Sequence, residues 1–224
     1  MLVLSDIHAN LPALEAVLAD AGDHDTVVCC GDLVGYYTWP DAVVQRVRDE
    51  GMLAVRGNHD EAVVTESSFG FTGAAAEAVR WTRDRISDDA RSYLEDLPYT
   101  RRDEVAGADV FVAHGSPRRP VEEYVYPEQV DARFLQEQSI DVDVLLLGHT
   151  HTPMVEHVQD TLVVNPGSAG QPRDGDPRAS YAVVDPDAAT ADIRRVEYDV
   201  KRVQDAVRAA GLPAELADRL SRGR

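Results

Sequence analysis

Lysine is almost missing from this 224-residue chain. Lys201 stands alone among 22 basic residues, against 40 acidic ones, for a formal net charge of −18. Such an excess of negative charge repels a phosphate backbone, so no stable nucleic-acid partner is expected. Cysteine is scarce: Cys29 and Cys30 are adjacent in VVCCG. Neighbours across a trans peptide hold their side chains apart, which excludes an ordinary disulfide between them. Free thiols packed in a strand, in a reducing cytoplasm, are the expectation. No apolar run reaches 18 residues, which excludes a membrane-spanning helix. No basic leader precedes the first apolar residues, so MLVLSDIHAN reads as a first strand, not a signal peptide. There is no G-x-S-x-G elbow, P-loop or catalytic-cysteine motif, so covalent serine or cysteine chemistry is not expected. Repeats, low-complexity tracts and long linkers are absent too, and a single domain over residues 1–224 follows.

What the chain does contain is an alternation of short apolar runs and amphipathic helical patterns. Strands are predicted at Leu2–Ser5, Thr26–Cys30, Met52–Arg56, Ala108–His114 and Asp143–Gly148. Asn10 can cap a helix that has Pro12 in its first turn. Further helices are predicted at Pro40–Glu50, Gly73–Leu97 with a break near Ser87, and Pro127–Gln138. After residue 150 the runs MVEHV, TLVVN, ASYAVVD and ADIRRVEY read as an antiparallel part, closed by two short helices. The architecture expected is α/β: two sheets packed face to face with helices outside.

Five strands run into polar turns of one chemical type. They supply Asp6 and His8 (SDIH), Asp32 (CGD), Asn58, His59 and Asp60 (RGNHD), His114 (AHGS), and His149 with His151 (GHTH). Five of the seven histidines lie in these turns; His24 and His157 do not. Strand ends of an α/β sheet converge on one edge, where ligands bind. One histidine after a strand is ordinarily a satisfied turn residue, but this many strand-end ligands together point to a shared metal site. Imidazole and carboxylate without thiolate suit manganese, iron, nickel or zinc. The ligands are too many for one tetrahedral ion and enough for two. His149 and His151, two apart in an extended segment, are expected on one face, each reaching its own ion.

In order, these blocks resemble D-x-H, G-D, G-N-H-[DE], H and G-H-x-H, the signature of the calcineurin-like metallophosphoesterase superfamily. SDIHANLPALEAVL, GDLVGY and NPGSAGQPRDGDPRASYAVVD are similar to its small prokaryotic YfcE-like branch, extending the resemblance to about residue 185. The resemblance implies a four-layer α/β/β/α sandwich of two mixed sheets flanked by helices. It implies two divalent ions, manganese foremost, as cofactors. Asp6, His8 and His151 would hold one; Asn58, His114 and His149 the other; Asp32 would bridge them. His59 would be catalytic, facing the scissile phosphate. Protein phosphatases of this superfamily carry a further aspartate where this chain has Gly35, which argues against a protein substrate. Asp60 is the remaining candidate to orient His59, although adjacent side chains often diverge.

The function expected is hydrolysis of small phosphate esters or nucleotides, as a phosphodiesterase, by hydroxide held between the two ions and attacking phosphorus in line. Phosphomonoesterase or dinucleotide polyphosphate hydrolase activity uses the same ligands. A non-catalytic scaffold, as in the retromer subunit of this fold, is disfavoured because His59 and all seven ligands are retained. A homo-oligomer is compatible with the sequence. Arg173 or Arg178 could grip phosphate, unless both pair with Asp174 and Asp176. Tyr36, Tyr37 and Trp39 could stack on a base near the mouth or pack beneath the following helix. The acidic, lysine-poor surface also resembles that of halophile proteins, whose carboxylates hold water in concentrated salt.

Overall fold

The computed structural model describes residues 1–65, 67, 70–71 and 73–224. Two five-stranded mixed sheets pack face to face. In the first, β1 (Leu2–Leu4), β2 (Val27–Cys29) and β3 (Leu53–Ala54) run parallel, in the order β10-β9-β1-β2-β3. β9 (Ala179–Asp185) and β10 (Thr190–Val196) form an antiparallel hairpin that continues this sheet beyond β1. The second sheet is ordered β4-β5-β6-β8-β7. Here β5 (Ala108–Ala113), β6 (Val144–Leu146) and β8 (Thr161–Pro166) are parallel, edged by antiparallel β4 (Thr100–Val105) and β7 (Pro153–Val158).

The part after residue 150 forms the expected antiparallel pairs, β7 with β8 and β9 with β10. Its two hairpins are dealt to different sheets, and β8 pairs in parallel with β6. Strand β4 was not anticipated. TRRDEV is charged and half-exposed, because an edge strand outside the core needs no apolar alternation.

Period-two alternation builds the layers. Val3, Val28, Cys30, Val144 and Leu146 face into the seam between the sheets. Their neighbours Leu2, Leu4 and Cys29 face the helices that cover the first sheet. Leu145 and Leu147 meet Phe134 and Leu135 on the far side of the second. The adjacent cysteines thus enter opposite cores as buried free thiols.

Helices α1 (Leu11–Ala21), α2 (Pro40–Asp49), α3 (Asn58–Thr65), α4 (Gly73–Arg83) and α5 (Asp88–Asp96) belong to the first sheet's side. The Asn10 side chain accepts the Ala13 N–H to cap α1, and Ser87 accepts that of Ala90 to start α5, at the predicted break. The helix expected over 127–138 is divided into a 3₁₀ turn, Pro127–Gln129, and α6 (Ala132–Gln138). Asp131 interrupts it with extended backbone because its carboxylate caps Phe134 N–H. α7 (Val200–Ala209) and α8 (Ala214–Asp218) close the chain against Tyr36, Tyr37 and Ala78. Among the described residues, no helix is long and apolar enough to cross a membrane.

Candidate metal centre

The C-terminal ends of β1, β2 and β3 meet those of β5 and β6 across the seam, so two sheets, not one edge, supply the site. Asp6, His8, Asp32, His59, His114, His149 and His151 are all buried there. Among the described residues, potential ligand atoms cluster in three groups, each with its atoms within 4.8 Å of one another: Asp6–His8–His151, Asp32–His114–His149 and His8–Asp32–His59. Asn58 joins the second group, its Oδ1 3.0 Å from His114 Nε2.

The expected extended GHTH segment is not what the backbone adopts. His149 and His151 have φ of 69° and 58°, and Asp6, His8 and Asp32 lie between 52° and 56°. Left-handed conformations are costly for residues with a Cβ and persist where surrounding contacts impose them. Those contacts come largely from the end of β8 and the loop after it. Asn165 Nδ2 donates to Gly148 O at 2.7 Å, Ser168 Oγ donates to Asp6 O at 2.8 Å, and Gly170 N–H donates to the same carbonyl at 3.0 Å. His149 and His151 accordingly serve different groups.

Hydrogen bonds behind the rings decide their tautomers. The Nδ1 atoms of His8, His114 and His151 face the carbonyl oxygens of Val34, Cys30 and Gln171 at 3.2, 2.8 and 2.6 Å. A carbonyl only accepts, so each Nδ1 carries hydrogen and each Nε2 turns into the site. His8 Nε2 and His151 Nε2 then face each other at 3.1 Å, with Asp6 Oδ1 3.1 Å from the latter. Burial lowers the basicity of both rings and so favours their neutral forms. Three electron-pair donors converge without a hydrogen to share.

The carboxylates show the same pattern. Asp6 Oδ2 accepts from Ser5 Oγ and His149 N–H, and Asp32 Oδ1 accepts from His59 N–H at 2.8 Å. Among the described residues, Asp6 Oδ1 and Asp32 Oδ2 are buried without hydrogen-bond partners. Asp32 Oδ2 lies 3.7 Å from His8 Nε2 and 3.3 Å from His114 Nε2, between the two groups. Burial alone would raise both carboxyls, but the imidazoles hold them below the usual carboxylate range, His151 foremost for Asp6 and His114 for Asp32. Burial would lower His114, but the Asp32 carboxylate outweighs it and lifts the ring to about 9. Orphaned anionic oxygens beside inward-facing imidazole nitrogens are the donor set that divalent cations satisfy.

His59 has a different setting. Burial, with help from His151 and Arg173, lowers it to about 4, against the pull of Asp32. Its ring packs edge-on to His8 and Phe71 and against Tyr36, and its buried Nδ1 has no hydrogen-bond partner among the described residues. A Cβ on Gly35, whose φ is 135°, would sit 2.5 Å from that Nδ1. No side chain can therefore orient His59 from position 35. Nor does Asp60: its carboxylate accepts from Val34 N–H at 3.1 Å and Gly57 N–H at 3.0 Å, joining the loops after β2 and β3. Burial and the Asp32 charge raise Asp60 to about 7.

A cleft of about 530 Å³ opens over the site, lined by His59, His149, His151, Tyr36, Tyr124 and Arg173, among others. Arg178 pairs with Asp176, and Asp174 pairs with Arg195. Arg173 bonds Gln171 Oε1 and Tyr36 Oη and faces the cleft. Of the three aromatics that could stack at the mouth or pack beneath the following helix, Tyr36 alone lines the cleft. Tyr37 is fully buried with Gln171, and Trp39 packs on the C-terminal helices beneath Arg202. Tyr124 was not anticipated; its segment carries no motif, and only tertiary folding brings it beside His149.

Residues 1–189 match the family model of the calcineurin-like phosphoesterase superfamily domain, and the chain belongs to that family of phosphoesterases. MJ0912 of Methanocaldococcus jannaschii is 36% identical over 241 residues, covering 99% of this chain and 97% of the relative. The phosphodiesterase YfcE of Escherichia coli is 28% identical over 201 residues, covering 84% and 88%. The crystal structure of a metallophosphoesterase from Sphaerobacter thermophilus superposes with a TM-score of 0.86 at 39% identity, covering 100% of this chain and 98% of that one. That superposition includes the C-terminal helices, which lie beyond the motif resemblance. Membership implies a hydrolase that uses divalent metal ions.

Proposed function

We propose that the chain is a dinuclear metal-dependent phosphodiesterase acting on small phosphate esters, nucleotides included. The observation that carries this is the pair of orphaned oxygens, Asp6 Oδ1 and Asp32 Oδ2, set among inward-facing histidine nitrogens. Asp6, His8 and His151 would hold one ion, Asn58, His114 and His149 the other, with Asp32 shared. When bound, such a pair supplies Lewis acidity toward phosphoryl oxygens and a water of lowered pKa. Manganese heads the candidates, with iron, nickel or zinc compatible. The relatives named phosphodiesterases, YfcE of Escherichia coli and MJ0936 of Methanocaldococcus jannaschii, support the diester reading.

The chain's own groups account for the rest. Asn58 contributes a neutral oxygen and so adds no negative charge where phosphate must approach. His59, neutral in the substrate-free site, acts from the cleft wall by hydrogen-bonding an oxygen of the reacting phosphate and supporting departure of the leaving oxygen. Arg173 brings positive charge to the same cleft and binds a non-bridging oxygen. Residues 1–224 act as one domain, a reading supported by α7 and α8 packing on Tyr36 and Tyr37, just after Asp32. The buried free thiols support a reducing, cytoplasmic setting, and the charge of −18 supports adaptation to concentrated salt.

The decisive test is Asp32→Ala, assayed on bis(4-nitrophenyl) phosphate with manganese and analysed for bound metal. Loss of hydrolysis together with lost metal is expected. Full activity would sink the site.

A further inference from the structure

Among the described residues, three large hydrophobic side chains stay exposed: Tyr99 at 43%, Tyr124 at 44% and Tyr126 at 41%. Tyr99 is occupied structurally, its hydroxyl bonded to Glu61 at 2.9 Å and its ring under the Arg56 guanidinium. The other two stand together beside the metal centre. Their rings are near-parallel, 11° apart, with centroids 6.5 Å apart, and Tyr124 stacks on His149 at 3.8 Å.

This placement is built. Val125, between them, is 4% exposed and anchored in the core with Phe134 and Leu145. Tyr126 is extended, with φ −104° and ψ 157°, and its N–H donates to Gln129 Oε1 at 2.8 Å. Exposed, buried, exposed in sequence turns both tyrosines to the solvent side. Below them, Gly115 N–H bonds Pro120 O at 2.6 Å and Ser116 Oγ bonds Glu123 Oε2 at 2.5 Å, fixing the loop that follows His114. Tyr124 thus lines a cleft that also carries Arg173, and Tyr126 stands next to it with its ring near-parallel.

We propose that Tyr124 and Tyr126 form a base-stacking subsite, so that the favoured substrate is a phosphodiester bearing a nucleoside arm, its base on the tyrosines and its phosphate between the metal centre and Arg173. This rests on the phosphodiesterase reading above. The cleft has the size of a small-molecule site, and a base offers a planar partner that exposed rings bind by stacking.

The test compares a dinucleoside monophosphate with glycerophosphoethanolamine, which has no aromatic group, using manganese-loaded enzyme. Tyr126→Ala is expected to raise KM about tenfold for the dinucleoside substrate only, with kcat unchanged. Tyr126→Phe, which keeps the ring, is expected to behave as wild type, and Arg173→Ala to raise KM for both substrates. Equal effects of Tyr126→Ala on the two substrates, or none on either, overturn the subsite. Binding of adenosine, followed by saturation-transfer NMR in EDTA, decides the matter without catalysis. Wild-type binding that Tyr126→Ala abolishes supports the subsite; no wild-type binding overturns it. If adenosine binds through Tyr126 but neither diester is hydrolysed with any metal, the subsite stands and the phosphodiesterase reading falls.

Discussion

Asp6, His8, Asp32, His149 and His151 each combine a proposed ligand side chain with a left-handed backbone. Each such residue carries about 1–3 kcal/mol of conformational cost. Ligation is the natural compensation, because cations satisfy the oxygens and nitrogens that these conformations turn inward. His59 differs: it reaches the cleft but its backbone N–H, not its ring, is tied to Asp32. His59→Ala is expected to lower turnover about 100- to 10,000-fold while bound metal stays at the wild-type level. Loss of metal in that variant would make His59 a ligand. His114 supplies a pH prediction. With its ring lifted to about 9, His114 holds an extra proton at neutral pH whenever no cation is bound. A ligating imidazole must lose that proton, so apparent manganese affinity should rise with pH up to about 9, by as much as about tenfold per unit. Calorimetric titrations between pH 6 and 8, in buffers of differing ionisation enthalpy, should show proton release on binding. A flat affinity would mean that His114 either stays off the metal or is already neutral before the metal binds.

At the scale of elements, strands and caps were legible where pattern and chemistry are local. β1, β2, β5 and β6 are apolar runs of the predicted type, and Asn10 and Ser87 cap where capping residues are expected. α3 was not legible. Asn58–Thr65 begins on the ligand motif itself, and the pattern of the motif hides a short helix with little amphipathic signal. Its first turn is closed by Asp60, which accepts the Gly57 N–H and also reaches Val34 in the loop after β2. A Cβ on Gly57 would run into Asp32, so the two loops meet with no room to spare. Asp60→Ala removes the acceptor of two buried amides and should cost about 2 kcal/mol, or a melting temperature lower by about 4–8 °C. Thermal unfolding followed by circular dichroism measures this; an unchanged melting temperature would mean that other contacts hold the loops.

The whole molecule is an acidic shell around two sheets. At −18 the shell repels itself, and the repulsion shortens in range as salt rises, from a screening length of about 10 Å at 0.1 M to about 3 Å at 1 M. The melting temperature should therefore rise by several degrees between 0.1 and 2 M potassium chloride. A flat or falling curve would remove high salt as the reason for the missing lysines. The same scale decides the site. Its candidate ligands come from strand ends in both sheets, and the sandwich seam is what sets them opposite one another.

Residue type and order determined the family signature, because a metal site demands particular donor atoms whatever lies between them. They also determined the layers, because alternation along a strand assigns each side chain to a face. Only the tertiary structure decided which sheet each hairpin joined, that Arg173 faces the cleft while Arg178 pairs with Asp176, and that Tyr124 lies on His149. Those outcomes depend on contacts between residues far apart in the chain, and no local pattern encodes such contacts.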